Sequence, residues 1–381
     1  MRSIFGFAAA AALLVCAPAL AADDIKLPST VTWTSYPVGT APYNQAVGIG
    51  SVLKNKLGVT LRVVPGNNDI GRQVPVRDGR APFALTGTGA LFAQEGLEEF
   101  AARDWGPQRM RMVVMSYGRA HSAVVTAKDA NIKTMGDLKG KRVAFVRGSP
   151  SLNATMEAML AFANLTWNDV QKVEVPGFSG SIDGIINGQI DAATLISTSG
   201  FAQRLSASPR GIWWPPVPHA DKAGWDRLLA VAPWMAQAKD PVGEGIPKDG
   251  TFEGVGLPYP YLAAYDTVDA GLAYNMAKAI YELFPEYKTS APGADGYALD
   301  RQLLSYTIPW HESSIRYFKE KGIWKPENQA HHDKLLKRQD VLVAAWKAFL
   351  PGQAGKDDEA LRAAWPAARE AALKQAGLPL K

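Results

Sequence analysis

The chain has 381 residues, 47% hydrophobic and 20% charged, with 41 Lys+Arg against 36 Asp+Glu and a formal charge of +5. That is globular composition, enough for about two or three domains, and it excludes a disordered, collagen-like or coiled-coil chain. The mild positive bias is not the basic stripe of a nucleic-acid binder, so no nucleic-acid partner is expected; the single cysteine excludes an intramolecular disulfide or a Cys-rich metal site.

Arg2 is followed by an apolar run from Ile4 to about Leu20, then Ala19-Leu20-Ala21 and Asp23-Asp24. This is the three-part pattern of a secretory signal peptide over 1–22, cleaved near Ala21 or Ala22. Pro18 interrupts the run as a membrane anchor would not, and Val15 stands before Cys16 where lipid attachment wants a small residue. The mature chain loses Arg2, giving 5 − 1 = +4, and loses its only cysteine. No later apolar run approaches the ~18 residues that span a bilayer, so a soluble, monomeric, periplasmic protein is expected.

Val31 to Thr34 reads as a strand, Tyr43 to Lys56 as a helix, and Val59, Leu61 and Val63 as an alternating strand. Gly71 to Asp78 is a predicted helix, Phe83 to Leu85 a buried strand, and Met110 to Ser116 and Ser122 to Ala127 two more. A second unit begins near Arg119. Its predicted elements are strand Arg142 to Val146, a helix through about Ala163, a capping box at Thr166 to Asp169, strand Val173 to Val175, helix Ser181 to Asn187 and strand Ala192 to Ile196. Residues 205–260, rich in Pro, Trp and Gly, read as long loops and a return crossing; Tyr265 to Phe284, Asp333 to Leu350 and Asp358 to Ala376 read as helices. The rhythm is α/β. Lobe one is expected over 23–118 plus 216–381, of which 325–381 is a helical extension, and lobe two over 119–215.

Catalytic patterns fail. Gly177-Phe178-Ser179-Gly180-Ser181 misses G-x-S-x-G at its last position, and His311-Glu312 opens H-E-x-x-H but meets Ile315. No catalytic residue, metal or cofactor is expected, and His331-His332-Asp333 reads as solvated surface. What stands out instead is a set of strand–loop–helix corners, and in open α/β sheets ligands sit beyond the carboxyl ends of strands. The first corner offers Ser35, Tyr36 and Thr40, with Tyr43 behind it; the second offers Asn67 and Asn68; the third ends in Thr88. In the second unit Arg147 precedes Ser149, Ser151 and Asn153 at a helix start, and Ser197 follows a strand. A helix N-terminus is an anion site, and Arg147, if turned into the cleft, could hold a carboxylate bidentately.

Gly136-Asp137-Leu138-Lys139-Gly140-Lys141-Arg142-Val143 with Gly148-Ser149, then Ile185 to Ala193, and above all Ile308-Pro309-Trp310-His311-Glu312-Ser313-Ser314-Ile315-Arg316-Tyr317-Phe318, carry a resemblance to the TAXI family of solute receptors for TRAP transporters, a branch of the type II periplasmic binding proteins. It covers roughly 30–325. The resemblance implies two α/β lobes, each a mixed sheet flanked by helices, closing on a small organic anion such as a glutamate- or 2-oxoglutarate-class carboxylate. It also implies delivery of that anion to TRAP membrane permease subunits. The alternatives are a ligand sensor docking on a membrane partner and an exported hydrolase.

Overall fold

Val31 and Trp33 are buried on either side of half-buried Thr32, and around them Thr30–Ser35 forms strand β1. The computed structural model describes residues 25–380; the expected signal sequence over 1–22 lies outside the described residues. Helix α1 (Ala41–Leu57) starts at Thr40, whose Oγ1 accepts from the Tyr43 amide, and stops at Gly58, where φ is +70°. There follow β2 (Thr60–Pro65), α2 (Asp69–Arg77), β3 (Phe83–Thr86), α3 (Gly89–Glu95) and β4 (Met110–Met115). The chain then crosses to a second sheet. That sheet is built from β5 (Ser122–Thr126), β6 (Arg142–Val146), α4 (Pro150–Phe162), β7 (Gln171–Val175), α5 (Phe178–Ile186), β8 (Ala192–Ile196) and α6 (Gly200–Ser206). Beyond it lie α7 (Lys222–Val231) and an antiparallel pair, β9 (Ala236–Ala238) with β10 (Gly254–Gly256). A second crossing leads to β11 (Tyr261–Tyr265), α8 (Ala270–Glu282), α9 (Phe284–Tyr287), α10 (Glu312–Glu320), α11 (Pro326–Phe349) and α12 (Asp358–Gln375).

The first sheet has the order β2-β1-β3-β11-β4; β1 runs parallel to β2 and β3, while β11 runs antiparallel to both its neighbours. The second has the order β5-β8-β6-β7, with β5 antiparallel to β8 and the rest parallel. Both are mixed sheets flanked by helices, the two-lobe fold expected of a periplasmic binding protein. The two crossings, 116–121 and 257–260, lie side by side: the Ser116 amide donates to the Pro260 carbonyl at 2.8 Å and the Tyr259 amide to the Ser116 carbonyl at 2.7 Å.

The return to lobe one comes later than the expected residue 216. Val217, Trp225, Leu228, Met235 and Val255 share a core with Ala123, Met156 and Met159 of the second lobe, so the segment read as loops packs as part of lobe two. The Thr166 capping box is present, Asp169 accepting from the Thr166 amide and hydroxyl at 2.9 Å each. Among the described residues no helix is long and apolar enough to cross a membrane.

The two C-terminal helices pack on each other through Trp346 and Trp365, whose rings meet edge to face at 4.9 Å, with Leu342, Leu361 and Leu373. They dock on α3 through charge. Glu95, 3% exposed, accepts from Arg338 on α11 at 2.7 and 2.9 Å and from Arg369 on α12 at 2.6 and 3.1 Å. Burial alone raises the Glu95 carboxyl, but the hydrogen bonds from Arg338 and the charges of both arginines outweigh it and hold the group below its ordinary range.

Candidate functional site

The lobes meet along a seam of direct hydrogen bonds. From lobe one to lobe two, Asn68 Nδ2 donates to the Arg147 carbonyl (3.2 Å) and the Ile70 amide to the Gly148 carbonyl (3.2 Å). In the other direction the Gly148 amide donates to Glu99 Oε1 (3.0 Å), the Ser151 amide to Asp69 Oδ2 (3.0 Å), the Phe178 amide to the Asn67 carbonyl (3.0 Å) and the Gly200 amide to the Gly39 carbonyl (3.1 Å). The two lobes therefore touch directly along this seam, as a closed form would. Backbone-to-backbone bonds of this kind need room, and two lobe-two glycines supply it. A Cβ on Gly200 would stand 2.6 Å from the Gly39 oxygen, and one on Gly177 would stand 2.9 Å from Asn67 Cβ. Gly200→Ala is expected to penalise only the closed form, by about 1–3 kcal/mol of overpacking. Solute affinity should therefore fall about tenfold or more while thermal stability without solute stays level or rises, alanine being the better helix residue. Calorimetry on the two proteins checks this, and equal affinities would mean that the seam does not form on binding.

Behind the seam lies a cavity of about 60 Å³. Lobe one gives Tyr36, Thr40, Arg72 and Thr88 to its wall; lobe two gives Ser122, Ser151, Thr155, Thr194 and Ser199, with Leu152, Phe178 and Ile196 as apolar surface; Leu257 and Tyr259 come from the second crossing. Of the twelve residues expected at the site, Tyr36, Thr40, Thr88 and Ser151 line this cavity. Thr40 spends its hydroxyl locally, donating to the Pro37 carbonyl at 2.7 Å. Tyr36 is buried, its ring edge-to-face with Tyr259 at 5.2 Å, and burial raises its hydroxyl pKa above the ordinary value.

The other eight do not line it. Asn67 and Asn68 serve the seam, and Asn68 also caps α2, accepting from the Gly71 amide at 2.7 Å. Asn153 ties α4 to β6 through both atoms of Val146, at 2.9 and 3.0 Å. Ser197 accepts from the His121 amide at 2.9 Å and donates to the Val242 carbonyl at 2.6 Å. Ser149 stands at the N-cap of α4 with Pro150 as the first helical residue, but its hydroxyl makes no cap bond; Ser35 is wholly buried and Tyr43 sits on α1 outside the cavity. Arg147 is exposed and faces an outer groove beside Glu99, Asp104 and Arg362. The expected turn into the cleft does not occur. Val146 points into the lobe-two core, and the chain turns at Gly148 (φ +71°), leaving Arg147 facing outward.

The arginine in the cavity wall is Arg72. It is 2% exposed and pairs with buried Asp69 one turn earlier. Its guanidinium lies 3.7 Å from the centroid of the Tyr36 ring, a cation–π contact. Its Nε–H is buried and has no partner among the described residues. Asp69 takes the place at the α4 N-terminus expected for a ligand anion: its carboxylate receives the Ser151 amide, where the helix dipole favours negative charge. Sequence reasoning missed Arg72 because it started the helix at Gly71. With Asn68 recognised as the cap, Asp69 and Arg72 become an i,i+3 pair in the first turn, and that signal was present in Asn68-Asp69-Ile70-Gly71-Arg72.

Two α/β lobes that meet over a cavity lined by both and are joined by paired crossings define a two-lobe fold. The chain belongs to the NMT1-like family, whose model matches residues 33–322. Solved structures to which it is similar include the substrate-binding protein AbpA of an amino acid ABC transporter from Streptococcus pneumoniae Canada MDR_19A, bound to L-arginine (14% identity, 75% of this chain and 96% of that one, TM-score 0.43). Another is the alkanesulfonate-binding protein SsuA from Xanthomonas axonopodis pv. citri bound to MOPS (14% identity, 80% and 83% covered, TM-score 0.41). A third is an ancestral arginine-binding protein bound to glutamine (18% identity, 70% and 97% covered, TM-score 0.43).

Proposed function

We propose that this protein is an extracytoplasmic solute receptor that closes its lobes on a small organic anion and delivers it to membrane permease subunits. The TRAP type, and a carboxylate of the glutamate or 2-oxoglutarate class, follow from the resemblance of the 308–322 stretch to TAXI receptors. The observation that carries the reading is Arg72: a buried guanidinium, paired with Asp69, whose Nε–H has no partner among the described residues, in the wall of a cavity between two lobes that hydroxyls and apolar side chains also line. A charged hydrogen bond of this kind contributes about 1.5–3 kcal/mol. By the measure in which one water needs about 10–15 Å³, the cavity of about 60 Å³ suits a short-chain acid. No chemistry is required of the site; differential affinity for the closed form does the work.

A thermal-shift screen of organic acids on the purified protein tests this. At 100 times its Kd the true solute adds about 2.7 kcal/mol of stability. A shift with short-chain carboxylates, absent with the matching alcohols and amines, is the expected result. A shift with uncharged sugars or cations alone would overturn the anion reading.

A further inference from the structure

A second space lies beside the cavity. Smaller, at about 20 Å³, it shares Ala41, Ser122, Ile196, Leu257 and Tyr259 with the cavity and runs toward the crossings, where Gln45, Gly118 and Gly293 close it. Gln45 stands on α1 and is 2% exposed. Its amide orientation is fixed, because Nε2 donates to the Pro292 carbonyl at 2.8 Å. The oxygen must therefore point the other way, and Gln45 Oε1 is a buried acceptor without a partner among the described residues. A buried carbonyl left without a donor is costly, and buried polar atoms in native proteins nearly always have a partner. Among the described residues, the charged side chain in the wall of the main space is Arg72, a donor. The two adjoining spaces thus ask for opposite things: a negative group at Arg72 and a hydrogen-bond donor at Gln45.

Resting on the anion reading above, we infer that Gln45 is a specificity-determining residue whose Oε1 accepts a hydrogen bond from an N–H or O–H group of the solute, so that the preferred solutes are amino or hydroxy acids rather than simple carboxylic acids. A site built to pair a substrate donor rejects the analogue that lacks it, because its own polar atom is then stranded. The amine and the hydroxyl present the same chemistry to a carbonyl, and a charge at position 45 separates them.

The test is calorimetric, with matched probes: glutamate, 2-hydroxyglutarate and glutarate, and 2-aminobutyrate, 2-hydroxybutyrate and butyrate. Wild type is expected to bind at least one substituted acid about tenfold or more tightly than its parent. Gln45→Met, similar in length and unable to accept strongly, should bring that ratio near one. Gln45→Glu keeps an acceptor and adds charge; it should raise the preference for the amino acid over the hydroxy acid. Both variants give up the Pro292 bond, so the wild-type ratios are the readout if neither folds: ratios near one in both probe series overturn the inference. An unchanged ratio in Gln45→Met, or no amine preference gained in Gln45→Glu, overturns the inference while the anion reading stands. If no acid of either kind binds wild type, the anion reading fails and the role of Gln45 fails with it.

Discussion

Glu95→Ala is expected to destabilise the protein by about 3–5 kcal/mol, because it strands two buried guanidinium groups at once. Arg338 and Arg369 are both less than a tenth exposed, and their other partners among the described residues are the carbonyls of Pro379 and Leu380. The change would be read in urea unfolding as a lower midpoint, or as a separate early transition if the two C-terminal helices come away before the lobes unfold. A midpoint within experimental error of wild type would show that the extension is held by Trp346 and Trp365 alone. The pH dependence has a definite sign. The folded carboxyl of Glu95 lies below its ordinary value of 4.5, so the stabilisation is present above that range and is lost as the pH falls through the lower folded value. Acid should loosen the extension; alkali should not.

Arg72→Met is expected to cost about as much, about 3–5 kcal/mol, since it leaves Asp69 as an uncompensated buried carboxylate. The same substitution should abolish solute binding, and the two effects must be separated. The double variant Asp69→Asn with Arg72→Met does so. Removing both partners of a buried pair is far less costly than removing one, so the double variant should melt close to wild type yet fail to bind any organic acid. A double variant that binds as wild type does would remove Arg72 from the site.

Much of the architecture was legible because its strands and helices have clean periods. The expected strand Arg142–Val146 and the helix starting at Pro150 were met residue for residue, as were the starts of β3, β4, β5 and β8. Strand β11 was not. Tyr261-Leu262-Ala263-Ala264-Tyr265 is five residues between two neighbours, buried on both faces, so it shows no alternation; the expected helix began at its last residue, Tyr265, and 261–264 were assigned to no element. Helix α7 was hidden among prolines and tryptophans that looked like loop, although Asp221 caps it by accepting from the Gly224 amide. For the site, the corners were legible and the side-chain directions were not. Thr40 and Thr88 could be placed at strand ends from pattern alone. Which of two arginines faces inward depends on a two-residue shift in where α2 begins and on a turn at Gly148, and neither leaves a periodic trace.

The late position of β11 in the chain also orders assembly. It is the fourth of five strands across the first sheet, between β3 and β4, yet it arrives after some 145 intervening residues, from Met115 to Tyr261. Until residue 265 has emerged, β3 and β4 have no neighbour to pair with on their facing edges. The second lobe, 122–256, is continuous in sequence and has its own core. Long-range pairing of the β11 kind is slow because loop closure precedes its reward. The second lobe is therefore the part that can organise first during synthesis, with the first lobe a set of open strand edges until the chain comes back to fill the gap.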